Sequence, residues 1–400
     1  MNKKVVVIGG GYGGLRAVEH LSKSSDIDIT LIDKNPYHYL QTEAYGYIAG
    51  RFDMHDVAVD LKEWCGGFEK KVEYINDKVT SIEFEARQVR TLGSSTPYDY
   101  LIIASGAQTN FFSFIKGLRE HSYGVKKLQR AYNFRIEFEN LIYKKLLNEK
   151  NGEDINLVIG GAGLSGVEVA AEMAHVIEVY KKTIGARVES IKIYLIDASK
   201  TILPGMSEFL IKSTQKRLDS LGVKTLRETF IDSMDDSYIY FRDSKKLKYH
   251  FMVFTGGIKA AELNDSLDVE KNKISQFIPN GTLNIGNREN VFAIGDCVEI
   301  KNAAQEVLPP TAQTAERSAE YVADAIRRKI DNQEIKPFNS SVLGVFIALG
   351  GKYSAGELFG FIKVSGYSAY LLKKAITKAY YLGLRLRINA GYKNRIKRDI

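Results

Sequence analysis

The chain has 400 residues, of which 44% are hydrophobic and 26% are charged, and its net charge is +8. This length and composition are typical of a globular protein of two or three domains and exclude a low-complexity chain. The two cysteines, Cys65 and Cys297, lie far apart in the sequence and form no pattern typical of a zinc site, an iron–sulfur cluster or a disulfide framework, which indicates a reducing compartment. No run of 18 apolar residues predicts a membrane span.

The first predicted element is a strand, Lys4 to Ile8, which leads through a glycine-rich turn into a helix. Gly9, Gly11 and Gly14 fit the G-x-G-x-x-G pattern, whose glycines permit a tight turn, close approach of a pyrophosphate and close packing of helix on strand. The helix would turn its free N–H groups and positive dipole end towards phosphate. The next strand ends at Asp33, whose carboxylate can accept both hydrogen bonds of a ribose diol. The unit therefore predicts a Rossmann-like site for a dinucleotide.

The same pattern recurs in the middle of the chain. A strand from Ile155 to Gly160 precedes Gly161, Gly163 and Gly166, and the following apolar strand closes with Asp197. Two complete units predict two bound dinucleotides. A carboxylate beside the ribose 2′ position repels a 2′-phosphate, so Asp197 favours NADH over NADPH.

Further segments carry a family resemblance in chain order. They are Asn35-Pro36-Tyr37-His38, Tyr98 to Gly106, Phe254-Thr255-Gly256-Gly257 and Asn290 to Cys297. With the two glycine-rich units, they make the chain resemble the type II NADH:quinone oxidoreductases over almost its whole length. This resemblance implies FAD in the first unit, NADH in the second, and transfer of two electrons to a membrane quinone without proton pumping.

The expected fold class is α/β, with two Rossmann-like dinucleotide-binding domains as in glutathione-reductase-like flavoproteins and a C-terminal amphipathic helical region associated with a membrane. The expected boundaries place the first part of the FAD domain at 1–113 and the NADH domain at 114–257. The second part of the FAD domain would follow at 258–336, and the membrane-association region at 337–400.

The resemblance implies two sets of cofactor-binding residues and no metal site. The residues expected at FAD are Gly9, Gly11, Tyr12, Gly13, Gly14, Asp33, Lys34, Val79, Ala104, Ser105, Gly106, Asp296, Ala312 and Gln313. The residues expected at NADH are Gly161, Gly163, Leu164, Ser165, Gly166, Asp197 and Gly257.

Three residues are candidates for catalysis by resemblance. Glu168 occupies the place of a family glutamate between nicotinamide and flavin, where it would orient the nicotinamide or relay protons; alternatively, it only stabilises a helix N-terminus. Gln313 matches a helix that borders the flavin and the quinone, whereas Glu316 stands where glutamine is usual. Glu316 would serve proton delivery or signal a different electron acceptor. Alternatively, Gln313 and Glu316 are ordinary residues of a first helical turn.

Thiol chemistry is not expected, because the cysteine patterns of the glutathione-reductase-like enzymes and of the sulfide:quinone oxidoreductases are absent from the sequence. Cys65 is expected on the surface of the FAD domain, and Cys297 as a small packing residue. Two other functions remain open: an NADH-dependent reductase with a non-quinone acceptor, and a sensor that binds flavin and NADH.

The basic charge is concentrated in residues 361–400, which contain ten Lys or Arg residues and one Asp. A helix predicted from Tyr367 to Ile388 has an apolar face, and Lys373, Lys374, Lys378 and Arg385 lie on another. The apolar face comprises Leu372, Ala375, Ile376, Ala379, Leu382 and Leu386. Such a helix can lie in the interface of a membrane with its lysines, Lys373 among them, on anionic headgroups, which predicts a peripheral protein on the cytoplasmic face. The alternative is packing on the chain's own body or in a homodimer; nucleic-acid binding is not expected, since no fold for it is recognisable.

Overall fold

The computed structural model describes residues 2–70, 72–147, 154–184 and 191–396. The strands are β1 Lys3–Ile8, β2 Ile27–Asp33, β3 Tyr37–Tyr39, β4 Ala58–Asp60, β5 Val72–Asn76, β6 Val79–Glu83, β7 Gln88–Thr91, β8 Ser95–Pro97, β9 Tyr100–Ile103, β10 Ala107–Thr109, β11 Ile155–Gly160, β12 Ile191–Ile196, β13 Lys224–Leu226, β14 Ile231–Met234, β15 Tyr238–Phe241, β16 Lys246–Lys248, β17 Phe251–Phe254, β18 Ile258–Ala260, β19 Val291–Ala293, β20 Gly344–Ala348, β21 Ser354–Leu358 and β22 Ile362–Gly366. The α-helices are α1 Tyr12–Leu21, α2 Ala44–Ile48, α3 Met54–Val57, α4 Leu61–Cys65, α5 Leu128–Leu147, α6 Leu164–Ile184, α7 Glu208–Ser220, α8 Glu262–Asp265, α9 Ala312–Ile330 and α10 Tyr367–Ile396. Short 3-10 helices lie at Gln41–Glu43 and Gly295–Cys297.

One parallel sheet has the strand order β19-β9-β1-β2-β5. Its central strand β1 ends in four buried apolar residues, as expected for a parallel strand covered on both faces. The edge strand β19 arrives from the last third of the chain and pairs with β9. Helices α1 and α9 pack against each other beside this sheet, so a late segment completes a unit that the first hundred residues begin.

A second parallel sheet has the order β13-β12-β11-β17. It is built wholly from residues between the two parts of the first sheet. The strands β10 and β18 form an antiparallel pair, with Ala107 opposite Ala260. Because β10 follows the first sheet and β18 follows the second, the two crossings of the chain between the sheets lie side by side.

The C-terminal part consists of the antiparallel sheet β20-β21-β22 followed by the 30-residue helix α10. This helix packs on α4 and on the preceding sheet, and its backbone comes so close to Gly67 that a Cβ there would lie 2.0 Å from the Arg387 carbonyl oxygen. Leu384 and Ile388 are buried on the packed side. No helix in the described residues is long and apolar enough to cross a membrane.

The outer side of α10 is exposed and apolar. We call its residues the apolar stripe: Leu372, Ala375, Ile376, Ala379, Leu382 and Leu386. These are the residues that the sequence places on one helical face. All six are exposed, so the helix is amphipathic with this apolar side turned outwards.

The expectation that Cys65 lies on the surface is wrong. Its side chain is 3% exposed and lies in the core with Trp64, because the helix α4 turns this side towards the sheet and towards α10. Burial raises the pKa of the Cys65 thiol to about 12, which suppresses the thiolate. Cys297 is fully buried, in agreement with its interpretation as a packing residue.

Candidate functional site

The first glycine-rich loop follows β1 and opens α1. Gly9 has φ +106°, and a Cβ there would lie 2.3 Å from the Ala104 carbonyl oxygen. A Cβ on Gly14 would lie 1.8 Å from the Gly9 carbonyl oxygen, whereas one on Gly11 would meet nothing within 4 Å. The loop is therefore closed by sheet and helix on one side and open at Gly11, where the uncapped N-terminus of α1 begins.

The second loop has the same geometry. Gly161 has φ +101°, and a Cβ there would lie 2.5 Å from Gly256. A Cβ on Gly166 would lie 1.8 Å from the Gly161 carbonyl oxygen, and one on Gly163 would meet nothing within 4 Å. The agreement at three equivalent glycines shows that both loops leave the same side open to a ligand.

Each loop is held by the aspartate at the end of the next strand. The Gly10 N–H donates to Asp33 Oδ2 at 2.6 Å, and the Ala162 N–H donates to Asp197 Oδ2 at 2.6 Å. Burial raises the pKa of Asp33, and the hydrogen bonds from Gly10 and Asn35 oppose that rise. Both carboxylates thus lie at the loops, where the ribose next to a pyrophosphate would be bound.

The other expected FAD residues come from several segments of the chain. Ala104, Ser105 and Gly106 form the turn after β9, and the Ser105 hydroxyl donates to Asn264 Oδ1 at 3.0 Å. Asp296 faces Lys126, whose ammonium lies 3.1 Å from Oδ2. Five others are Tyr12 and Gly13 at the start of α1, Ala312 at the start of α9, which packs on α1, Lys34 and Val79. Of these, Lys34 is exposed and Val79 opens β6.

A cavity lies between the two units. From the first unit and its neighbours it is lined by Gln41, Ala44, Tyr45, Thr109, Val125 and Lys126. From the second it is lined by Ser165, Glu168, Val169, Phe254, Thr255, Gly257 and Ile258. The cavity thus joins residues expected at NADH, among them Ser165 and Gly257, to the segment that follows β3.

Glu168 meets a lysine of the C-terminal helix in this region. Its Oε1 accepts from Lys373 Nζ at 3.0 Å and from the Ala348 N–H at 3.0 Å, and the two charged side chains are 14% and 13% exposed. Burial disfavours charge on Lys373, but the carboxylates of Glu168 and Glu43 outweigh this and raise its pKa. The expectation that Lys373 faces lipid headgroups is therefore wrong, because the packed side of α10 turns it into the protein.

A second acid belongs to the same group. Glu43 is 7% exposed, and it accepts from the Tyr45 hydroxyl at 3.1 Å and from the Thr377 hydroxyl at 3.2 Å. Burial raises the pKa of Glu43, Lys373 opposes the rise, and Glu168 adds to it. The sequence reasoning missed Glu43 because nothing in its local pattern marks it as buried.

Gln313 and Glu316 lie on α9, and each has a partner away from Glu168. Gln313 Oε1 accepts from the Leu343 N–H at 2.8 Å and so holds the segment that leads to β20. Glu316 lies 3.9 Å from the guanidinium of Arg16 on α1, and burial raises its pKa. No hydrogen bond among the described residues joins the three catalytic candidates to one another.

His38 links the first glycine-rich loop to α10. Since the Gly10 carbonyl oxygen only accepts, His38 Nδ1 donates to it at 2.9 Å, and Nε2 accepts from the Tyr380 hydroxyl at 3.1 Å. Burial lowers the pKa of His38 to about 4, so the ring is neutral. The inner face of α10 carries residues at helical spacing: Lys373, Thr377, Tyr380 and Leu384. This spacing is the feature of the sequence that could have indicated that α10 contributes to the site.

Glu172 lies one helical turn after Glu168 on α6, and it has a different environment. Its side chain is fully buried, and Arg51 Nη1 donates to Oε1 at 2.8 Å and to the Gly351 carbonyl oxygen at 2.9 Å. The ion pair ties α6 to the segments that follow α2 and β20.

Comparison with known protein families gives a match over most of the chain. The family model for pyridine nucleotide-disulphide oxidoreductases matches residues 3–319. Among curated proteins, a type II NADH:quinone oxidoreductase of Staphylococcus aureus is 30% identical over 391 residues, which cover 95% of each chain. One from Staphylococcus epidermidis is 29% identical over the same shares.

Among solved structures, NDH2 from Plasmodium falciparum in complex with NADH has a TM-score of 0.85 at 20% identity, with 99% of this chain and 98% of that chain covered. The sulfide:quinone oxidoreductase from the hyperthermophilic bacterium Aquifex aeolicus has a TM-score of 0.81 at 19% identity, with 96% and 92% covered. Because both sequence identities are 20% or lower, these two comparisons show a shared fold only.

Proposed function

We propose the following function for this chain, which belongs to the pyridine nucleotide-disulphide oxidoreductase family and, within it, to the type II NADH:quinone oxidoreductases. The enzyme is an FAD-dependent oxidoreductase that takes two electrons from NADH and transfers them to a quinone. The family and the α/β fold expected from the sequence are confirmed. Bound FAD supplies the two-electron chemistry, which no side chain around the cavity supplies.

The observation that carries this function is the repetition of one loop geometry in the two units, with a cavity beside the second loop. Gly11 and Gly163 are the open positions of the two loops, and a Cβ at either would meet nothing within 4 Å. The residues present therefore fit two pyrophosphates, each at the N-terminus of a helix. We assign the first loop to FAD, because Asp296 and the start of α9 return to it late in the chain.

NADH is assigned to the second loop. Asp197 supports this choice, since its carboxylate lies at the loop where a 2′-phosphate would be repelled. Ser165, Glu168 and Gly257 line the cavity beside it, so a nicotinamide nucleotide on this loop would extend its reactive end towards the first unit. The domain boundaries expected from the sequence are proposed on the same grounds.

We propose that Glu168 and Lys373 act as a pair at the place where the quinone is reduced. The ammonium of Lys373 can donate a hydrogen bond to a quinone oxygen and stabilise the negative charge that develops there during reduction. Glu168 holds this ammonium in position at 3.0 Å. For Gln313 we propose that it positions the segment before β20, and for Glu316 that it acts with Arg16 at the α1–α9 contact.

We propose further that α10 docks on the membrane surface, on the cytoplasmic face, without spanning the bilayer. The apolar stripe is exposed over its length, and Phe359 and Phe361 in the preceding β-turn are 59% and 73% exposed. Lys374 and Lys378 are exposed near the stripe and can meet anionic headgroups. Arg385 is engaged with the His55 carbonyl oxygen instead.

The function is tested in two half-reactions with the purified yellow holoenzyme. Anaerobic NADH is expected to bleach the flavin within the mixing time of a stopped-flow instrument, and a short-chain quinone is then expected to restore the colour. Bleaching without recovery would show a non-quinone acceptor. Bleaching over minutes with a long-lived nicotinamide complex would show a sensor rather than an enzyme.

A further inference from the structure

Quinone reduction needs a proton that NADH does not supply. In the overall reaction NADH and one proton convert a quinone to a quinol and NAD⁺, so the hydride carries both electrons and one of the two hydrogens gained. The other hydrogen has to come from an acid. If Lys373, which the proposed function makes a hydrogen-bond donor to the quinone oxygen, also gives its proton to that oxygen, a nearby acid has to restore it.

Glu43 is the buried acid beside Lys373. Both hydrogen-bond partners of Glu43 are neutral hydroxyl groups, those of Tyr45 and Thr377. Thr377 lies one helical turn after Lys373 on the same face of α10, and the Lys373 ammonium lies 5.1 Å from the centre of the Tyr45 ring. Two hydroxyl-bearing neighbours of the acid thus lie beside the lysine, and Glu43 itself is 7% exposed.

The charged and titratable groups around Glu43 come from four elements. They are Tyr12 on α1, Tyr45 on α2, Glu168 on α6 and Lys373 on α10. Two carboxyl groups therefore share one buried cation, and Glu168 makes the direct ion pair with it. Burial and the neighbouring carboxylate raise the pKa of Glu43, which favours its neutral, protonated form.

We propose that Glu43 is the proton store of the acceptor site: it holds a proton as a neutral carboxylic acid and passes it to Lys373 after Lys373 has protonated the reduced quinone. This inference rests on the proposed function. In the step, the Glu43 O–H bond breaks, an N–H bond forms on Lys373, and no electrons move. A protonated Glu43 can donate to Thr377 Oγ1, which reverses the hydrogen bond seen between these atoms and starts the transfer. Solvent then returns a proton to Glu43 through the 7% of this residue that is exposed.

The test compares the pH dependence of the two half-reactions in the holoenzyme and in E43Q, with E208Q as a matched control. Glu208 is a glutamate on α7 whose side chain is 79% exposed. In the wild type, reoxidation by a short-chain quinone is expected to slow as pH rises and Glu43 loses its proton. In E43Q this pH-dependent decline is expected to disappear, and reoxidation at low pH to be about tenfold slower or more. Reduction by NADH is expected to be unchanged.

A second variant uses the hydroxyl partner. T377V removes a donor that favours the ionised form of Glu43, so the pH at which reoxidation declines is expected to move upwards. Infrared spectra give a readout that does not depend on turnover: the carbonyl band of a protonated carboxyl group is expected in the wild type at neutral pH and to be lost in E43Q. Where E43Q does not fold, the pH shift in T377V still decides the question, because that variant leaves the carboxyl group in place.

The outcomes separate this inference from the function on which it rests. A wild-type enzyme that NADH bleaches but no quinone reoxidises contradicts the proposed function. A wild type that quinone reoxidises, with the same pH decline in E43Q or with no protonated carboxyl band at neutral pH, overturns the role of Glu43.

Discussion

Polar replacement of the apolar stripe is expected to weaken binding to membranes by about a hundredfold. Ile376, Leu382 and Leu386 are 58%, 51% and 58% exposed. Full burial of such a side chain contributes about 2 kcal/mol, so each half-exposed one regains roughly 1 kcal/mol when it enters the interface. Serine at all three positions forfeits about 3 kcal/mol, and each 1.4 kcal/mol is a factor of about ten.

The assay is sedimentation with vesicles that contain anionic lipid, at a fixed salt concentration because the contribution of Lys374 and Lys378 is screened by salt. The matched control is Leu92→Ser, which replaces a leucine that is 76% exposed but lies outside the stripe. Because all of these side chains are exposed, the thermal midpoint should stay unchanged. Equal vesicle binding by the triple variant and the control would refute the docking proposal. Deletion of α10 would be a poorer test, since it also removes Lys373 from the site.

Three further outcomes follow from single contacts. Arg51→Met leaves the buried Glu172 without its ion partner and should lower the free energy of unfolding by about 3 kcal/mol. The control is Lys212→Met, which breaks an exposed ion pair and should change the free energy of unfolding by under about 1 kcal/mol. Denaturant titration measures both changes. Asp197→Asn should raise the ratio of kcat/KM for NADPH to that for NADH, by about tenfold for each 1.4 kcal/mol of repulsion relieved, and an unchanged ratio would contradict the assignment of the second loop. His38 stays neutral until about pH 4 in the folded state but gains a proton near pH 6.5 when unfolded. Stability is therefore lost as pH falls through this window, by about 2 kcal/mol near pH 5, and His38→Gln should remove that part of the acid sensitivity in unfolding curves taken at two pH values.

The glycine-rich units could be predicted from the sequence because their determinants are local. The strands Ile155–Gly160 and Ile191–Ile196 have the expected bounds, since a buried parallel strand is a continuous apolar run that ends in a glycine or a charged residue. The first strand starts one residue earlier than expected, at Lys3. The helix of the tail starts at Tyr367 as expected and continues to Ile396.

The residues around the cavity could not be predicted in the same way, because their partners are distant in the chain. A helical wheel places Lys373 on the polar side of α10, which predicts contact with lipid headgroups. The wheel does not show which part of the protein covers that side. Its partner Glu168 lies 205 residues away in sequence. Glu43 follows an aromatic segment of no regular period, so its burial depends on α10, which folds over it from the other end of the chain.

The helix α10 contributes to two environments at once, and its thickness sets the distance between them. Lys373 lies on the inner side, and Ile376, less than one turn away, lies on the outer side. An α-helix with its side chains is about 10 Å across. With the stripe seated in the bilayer surface, the reducible ring of a lipid-soluble acceptor would therefore travel only about one helix diameter to reach the ammonium group. Its hydrocarbon tail could remain dissolved in the membrane throughout the reaction.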